Sequence, residues 1–354
     1  MNPTRMLHVE LHAGFFLLCA LFMTGCLETE TTTVVQSDGS LTRSVSIKAD
    51  SSGMAAGLEM FGLDSTWSLE LSGADQREQT ITAKRTFASA DAMTPVLAGA
   101  PGRKITIKPR LTKSFNWFFT AYRYEETWAK LNPSDVVPVS DFLSKAEIDA
   151  FEQRIAASKS VITPEDSLGK EDSGERFNKW NSRNSFEEYF GLFKEGIRLL
   201  ADPSLTESMA EKEKEACFAR AENFDWVSGN LGDLERTFAQ ILGTPLVTKA
   251  ADANRQKIDG FRKRLEFQQS VLASSHKVRV VMPGLITATN AGGVEGNSVS
   301  WEGFIAMTYI GDYTMWVEAR EVNWWTIAVS GVIVLGLAGL AVFGVFRRKR
   351  RAQE

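Results

Sequence analysis

Hydrophobic and polar positions along this chain change rhythm several times. From Thr31 to Lys48 they alternate: Leu41, Arg43, Val45 and Ile47 fall on one side, Thr42, Ser44 and Ser46 on the other, and Asp38-Gly39 separates two such runs. This is the pattern of a β-hairpin, because successive strand side chains face opposite ways and Gly tolerates the positive φ of a tight turn. Further strands are predicted at 67–71, 81–87 and 105–111. The aromatic run "FNWFFTAYRYEETW", Phe115 to Trp128, closes the set. Read as one strand, it is apolar on both faces, with Phe115, Trp117 and Phe119 on one and Phe118, Tyr122 and Tyr124 on the other. Helices are therefore expected to cover one side of the sheet.

From Ser140 the period becomes helical. Phe142, Ala146, Phe151 and Ile155 predict a helix, and "TPEDSLGKEDSGE" (163–175) an exposed loop. Phe186, Phe190, Phe193, Ile197 and Leu200 recur at helical spacing and predict an amphipathic helix that Pro203 ends. Helices at 205–222, 230–242 and 248–274 follow. Alternation returns at 277–283, 285–289, 298–301 and 314–322, around the Gly-rich turn "NAGGVEGN". The economical fold is α+β. An antiparallel β-rich domain built from 26–128 and 277–323 carries a helical insertion, 129–276, because two domains in series would leave the last strands with open edges.

At the two ends the apolar residues are continuous. Trp324 to Phe346 is 23 residues without a charge, enough at ~1.5 Å per residue to cross a ~30 Å hydrocarbon core as one C-terminal transmembrane helix. Trp324 and Trp325 form an aromatic belt, and five cations, Arg347 to Arg351, follow at the other end. The positive-inside tendency puts the basic tail, 347–354, in the cytoplasm and the bulk of the chain outside. Residues 1–25 read as a secretory signal, with Arg5 ahead of an apolar stretch, Ala13 to Met23, that is too short to span. Behind it, Met23-Thr24-Gly25-Cys26 resembles the bacterial lipoprotein lipobox, which implies that Cys26 becomes a lipidated mature N-terminus. A single lipid exchanges between membranes and a spanning helix does not, so the helix selects the cytoplasmic membrane. Both ends of the extracytoplasmic domain are then expected close to that membrane.

Between residues 27 and 346, 34 Lys and Arg stand against 42 Asp and Glu. Such an acidic domain suits neither nucleic acid nor a polybasic hold on anionic lipid. With Cys19 removed in the signal and Cys26 lipidated, Cys217 is left without a disulfide partner and is read as packed in a helix. His8 and His12 leave with the signal, and His276, between a predicted helix and strand, is read as a surface linker residue. One histidine and one thiol do not make the usual zinc sites, and no P-loop, GxGxxG or GxSxG motif occurs. No catalytic residue, metal or cofactor is therefore assigned. The pairs Glu125-Glu126 and Glu187-Glu188 point apart as sequence neighbours and are read as solvated faces. Trp117, Phe119, Tyr122, Phe186, Phe190 and Phe193 are the candidates to face an apolar ligand. The favoured reading is nevertheless that they form the sheet–helix core, because the Phe-striped helix has a mixed-charge opposite face (Glu187, Glu188, Lys194, Glu195, Arg198).

The lipobox cysteine, the "SDGS" hairpin, "MPGLITATNAGGVEGNSVSW" (282–301) and the terminal helix with its basic tail together resemble the LppM-like bacterial lipoproteins. The resemblance covers the two ends and the flanking strands, and leaves out the helical middle, 140–275. It implies an envelope protein with lipid or glycolipid binding and without established catalytic residues. The resulting expectation is a non-enzymatic lipoprotein of the cytoplasmic membrane that binds an envelope lipid or protein partner. An assembly factor acting through the helical insertion and a carboxylate-based envelope hydrolase are the alternatives.

Overall fold

The computed structural model describes residues 27–50, 54, 57–58, 60–73, 78–98, 105–131, 136–157 and 171–351. The signal segment 1–25, Cys26, residues 163–170 of the expected loop and 352–354 of the tail lie outside them.

The Asp38-Gly39 signal produces the expected hairpin. β1 (Glu28–Val35) and β2 (Leu41–Ala49) pair antiparallel from Glu28↔Lys48 to Val35↔Leu41. They join β3 (Ser68–Ser72), β4 (Gln79–Phe87), β7 (Ser275–Val281), β9 (Gly293–Glu295) and β10 (Ser298–Glu302) in a seven-stranded sheet of order β3-β4-β2-β1-β7-β10-β9. The other sheet holds β5 (Ile107–Phe115), β6 (Phe119–Trp128), β11 (Tyr313–Val322) and β8 (Leu285–Thr289), in the order β5-β6-β11-β8. Strands from before and after the helical segment thus lie side by side in both sheets. All pairings are antiparallel except β1 with β7, which is parallel. The "NAGGVEGN" turn contains the short strand β9, and a helix, α1 (Ala90–Ala98), connects β4 to β5.

Two expectations about the aromatic run are corrected. It is a hairpin and not one strand: Asn116 N donates to the Phe119 carbonyl (2.8 Å), and the chain reverses between β5 and β6. Only one face of β6 is buried, comprising Thr120, Tyr122, Tyr124, Glu126 and Trp128. What covers it is the other sheet, whose β1 and β2 turn inward Thr29, Thr31, Thr33, Leu41, Arg43, Val45 and Ile47. A two-sheet sandwich buries alternate residues, so the outer face of β6 can keep Arg123, Glu125 and Thr127.

The chain enters and leaves the sandwich at opposite ends. Ser37, in the β1–β2 turn, accepts from the Tyr122 hydroxyl (2.9 Å) and donates to Glu321 Oε1 (2.7 Å). Gly284, after β7, has φ +81° and lies so close to β11 that an added Cβ would stand 2.2 Å from the Arg320 carbonyl oxygen. Both turns therefore share the end where β11 passes into the last helix. Leu27, whose carbonyl bonds Ser275 N (3.0 Å), precedes the whole length of β1. That length is about 25 Å at ~3.3 Å per residue. Leu27 and the exit into the last helix therefore stand at opposite ends of the sandwich, because β1 runs toward the exit end.

The helical segment comprises α2 (Lys145–Ala157), α3 (Glu171–Leu200), α4 (Glu207–Lys212), α5 (Lys214–Ala221), α6 (Leu231–Leu242), α7 (Leu246–Ala253) and α8 (Arg255–Leu272). Residues 171–175 of the expected loop belong to α3. The helix predicted over 205–222 breaks at Glu213, and the one over 248–274 breaks at Asn254. Asn254 Nδ2 crosses to the Leu192 carbonyl (2.8 Å) of α3, and a Cβ on Gly196 of α3 would stand 2.1 Å from the Ala250 carbonyl oxygen. This close crossing needs the break. α3 serves two cores: Phe177 and Trp180 pack into the sandwich core, whereas Phe186, Tyr189, Phe190, Phe193 and Ile197 build a separate helical core with Phe238 and Phe261. Cys217 is buried there, its thiol pushed up to about 12 by burial.

His276 is corrected from surface linker to core residue. It lies inside β7 at 3% exposure, accepts at Nδ1 from the Thr29 hydroxyl (2.7 Å) and donates from Nε2 to the Val271 carbonyl (2.8 Å). Burial lowers its pKa to about 4, so the ring stays neutral. A short helix, α9 (Ile305–Ile310), precedes β11, and α10 (Trp324–Arg351) ends the described chain. Within α10, Trp324–Phe343 is long and apolar enough to cross a membrane, with a mean hydropathy of 2.4.

Candidate functional site

A cleft of about 540 Å³ opens where the helical segment meets the sandwich. One wall is a stripe along the first half of α3: Phe177, Asn178, Asn181, Ser182 and Ser185, spaced to share a helix face. The facing wall is α8, with Leu265, Gln268, Gln269 and Leu272. The loop Glu222–Val227 and Tyr309 of α9 close the ends. These elements meet here because α3 and α8 both reach from the helical core to the sandwich core.

Hydrogen bonds hold the walls in place. Tyr309 donates to Asn181 Oδ1, Ser182 donates to the Glu222 carbonyl, and Gln268 Nε2 donates to the Leu131 carbonyl (2.9 Å). Asp225 shapes the loop by accepting from Val227 N (3.0 Å), Ser228 N (2.9 Å) and the Ser228 hydroxyl. Burial would raise its carboxyl, but those bonds outweigh it and keep the group below its ordinary value. Two polar atoms of the lining are buried without a partner: Gln268 Oε1, an acceptor, and Trp226 Nε1, a donor. A buried polar atom left unbonded costs about 1–3 kcal/mol, so these two residues of the lining carry hydrogen-bonding capacity that the packing around them leaves unused. Among its described residues the lining offers amides, hydroxyls, aromatic faces and the carboxylates of Glu222 and Asp225, and no Lys, Arg, His or Cys. Such a surface favours an uncharged, hydrogen-bonding ligand over an anion.

The sequence candidates fall elsewhere. Phe186, Phe190 and Phe193 are each 0–1% exposed inside the helical core, where Phe186 and Phe190 stack at 5.3 Å. Tyr122 is buried between the sheets, its hydroxyl shared by Ser37 and Glu321. Phe119 lies on the outer face of β6 under the Arg320 guanidinium, 4.9 Å from the ring centre. Trp117 is half exposed at the hairpin tip, donating to Ser330 Oγ of α10 (2.9 Å). The structure brings Phe119, Tyr122 and Trp117 to one end of the sandwich and the three phenylalanines to another core. The polar run "NKWNSRNS" (178–185) was the available signal for the cleft: it supplies four of the five α3 lining positions, each an uncharged amide or hydroxyl.

Glu126 also departs from expectation. It is fully buried, whereas Glu125 keeps to the outer face with Arg123 (2.7 Å). Arg43 of the opposite sheet meets Glu126 at 2.6 and 3.1 Å, and Tyr124 (2.6 Å) and Trp128 (2.7 Å) donate to the same carboxylate. Burial alone would raise the Glu126 carboxyl, but the guanidinium holds it below its ordinary value. With every Glu126 oxygen bonded in a closed interior, the pair ties the sheets together. Glu187 pairs with Arg183 (2.7 Å) and Lys214 (2.6 Å), and Glu188 with Arg264, so both bind neighbouring helices. Among the described residues no three His, Cys, Asp or Glu side chains converge to hold a metal ion.

No family model matches the chain, and no curated protein matches it. Among solved structures it is similar to the NMR structure of the folded domain of Mycobacterium tuberculosis LppM, at 9% identity and a TM-score of 0.26, over 84% of this chain and 92% of that one.

Proposed function

We propose that the chain is an exported, non-enzymatic lipoprotein that binds an uncharged, hydrogen-bonding envelope ligand at the outer face of the cytoplasmic membrane. In this reading Cys26 carries lipid, α10 spans the membrane with its basic tail inside, and the sandwich and helical segment stand outside. The supporting observation is the cleft, which combines amides and aromatic faces with two unbonded buried polar atoms, Gln268 Oε1 and Trp226 Nε1. The size is right for a small molecule, since ligand sites typically measure ~300–1,000 Å³. A lipid whose head bears hydroxyls would meet both requirements, its acyl chains remaining in the membrane.

Native mass spectrometry of the full chain, extracted from its own membrane in mild detergent, tests this. One defined adduct is expected on the wild type and none on Asn178→Trp, which fills the cleft from an exposed position and keeps the circular dichroism spectrum. A wild type without adduct, or an adduct that persists in the variant, would sink the proposal. Capture of a protein in the cleft instead would move the role to assembly.

A further inference from the structure

The joint between β11 and α10 is more than a linker. Asn323 donates from its backbone N to the Phe118 carbonyl (3.0 Å) and from Nδ2 to the Asn116 carbonyl (2.7 Å) and, more weakly, the Trp117 carbonyl (3.5 Å). Its Oδ1 accepts from the Thr120 hydroxyl (2.9 Å), while its own carbonyl accepts from Thr326 N (3.1 Å) in the first turn of α10. A single residue therefore fastens the tip of the β5–β6 hairpin to the start of the last helix. The tip then lies along that helix: Phe115 stacks on Trp325 at 6.2 Å, Trp117 meets Trp325 at 6.0 Å, and the Trp117 indole donates to Ser330. Ser330 is six residues beyond Trp324, about 9 Å at ~1.5 Å per residue.

We propose that the hairpin tip, Phe115–Phe118, is inserted in the outer interfacial layer of the bilayer beside the first two turns of α10. This rests on the reading of α10 as a membrane span. If Trp324 marks the water-facing edge, a tip held at the level of Ser330 passes through the ~6 Å headgroup layer to the edge of the hydrocarbon. Its chemistry suits that depth. The rings of Phe115, Trp117 and Phe118 are 48–56% exposed to the surroundings. The carbonyls of residues 116, 117 and 118 all accept from Asn323, so the tip does not depend on water to satisfy them, as a hydrocarbon-facing backbone requires. Behind the rings stand two cations, Lys113, over Tyr122 and donating to the Ser37 carbonyl (2.6 Å), and Arg320, over Phe119, on the side where headgroups would lie. The bilayer, and not a protein groove, is the occupant favoured by continuity: the exposed aromatic patch runs directly into the apolar surface of α10 through Trp324 and Trp325.

The test uses the full chain in its own membrane, with the photoreactive residue benzoylphenylalanine placed singly at position 118, 335 or 69. Leu335 lies mid-span and Leu69 on the edge strand β3; both are exposed. Lipid adducts at 335 and 118, with none at 69, are the expected result. Adducts at 335 without any at 118, or an adduct of 118 to a protein, would overturn the insertion while leaving the span intact. A lack of lipid adduct at 335 would overturn the span and the insertion with it. Asn323→Ala, which releases the tip from the joint, is expected to abolish the 118 adduct and keep the 335 adduct; an unchanged 118 adduct would show that Asn323 does not position the tip.

Discussion

The two cores of this protein are built on different rules. The helical core is mainly a cluster of aromatic and aliphatic side chains, with Phe186, Tyr189, Phe190, Phe193, Phe238 and Phe261 in contact; one carboxylate, Glu235, is buried beside them and paired with Arg255 (2.9 Å), while pairs such as Glu187 with Arg183 and Lys214 stand nearer the surface. The sandwich core encloses the Arg43–Glu126 pair, Thr29, Thr31 and Thr33 of β1, Thr120 of β6, and His276. A helix satisfies its backbone internally and can pack by shape alone. Two sheets can slide against each other, and directional bonds between Arg43, Glu126, Tyr124 and Trp128 select one alignment. Polar groups inside a core are thus informative about which layers must stay in register.

Breaking the pair is the largest expected effect. Arg43→Met or Glu126→Gln alone leaves a buried partner unmatched and should cost about 3–5 kcal/mol. Replacing both with apolar residues should recover only part of that loss, because the buried Tyr124 hydroxyl and Trp128 indole lose their acceptor. Urea unfolding curves decide it: single variants that shift stability no more than a surface change would show that the pair does not hold the sheets. Phe238→Ala tests the other core. It should cost about 3–4 kcal/mol through the cavity it leaves, with lost amide protection confined to the helical segment in hydrogen exchange. Equal loss in β1 and β2 would mean that the cores unfold as one.

The smallest effect concerns pH. His276 has its folded pKa lowered from 6.5 to about 4, so the unfolded chain takes up the proton first. Its neutral burial contributes fully above pH 6.5 and is lost as the pH falls toward 4, about 3 kcal/mol in all at ~1.4 kcal/mol per unit. The helical core holds no histidine, so this acid sensitivity belongs to the sandwich. His276→Gln should flatten the stability profile between those limits, and an unchanged slope would exclude the assignment.

Much of the fold could be read locally. The alternation in β1 and β2, the Asn230-capped helix α6 with its stop at Gly243, and the apolar final helix follow from neighbouring residues. Asn116, a lone turn former among aromatics, did not break the 115–128 run in a reading by periodicity. The parallel pairing of β1 with β7 joins segments more than two hundred residues apart and has no local signature. Arg43 and Glu126 could each have been noticed as a charge in phase with apolar neighbours: Leu41 and Val45 for one, Tyr124 and Trp128 for the other. Their meeting depends on how the two sheets face each other, which alternation does not specify. The cleft is similar: its α3 residues share a helix face, but the opposite wall comes from α8 and Tyr309.

The placement of Leu27 and Trp324 at opposite ends of the sandwich has a mechanical consequence. β1 sits in the middle of its sheet, bonded to β2 on one side and β7 on the other. Tension applied between the residue before Leu27 and the helix after Asn323 runs along β1, across ladders whose bonds lie perpendicular or slanted to it. Such a load is shared by many hydrogen bonds in shear and is not taken by one at a time, so the sandwich is built to resist a pull between its two ends.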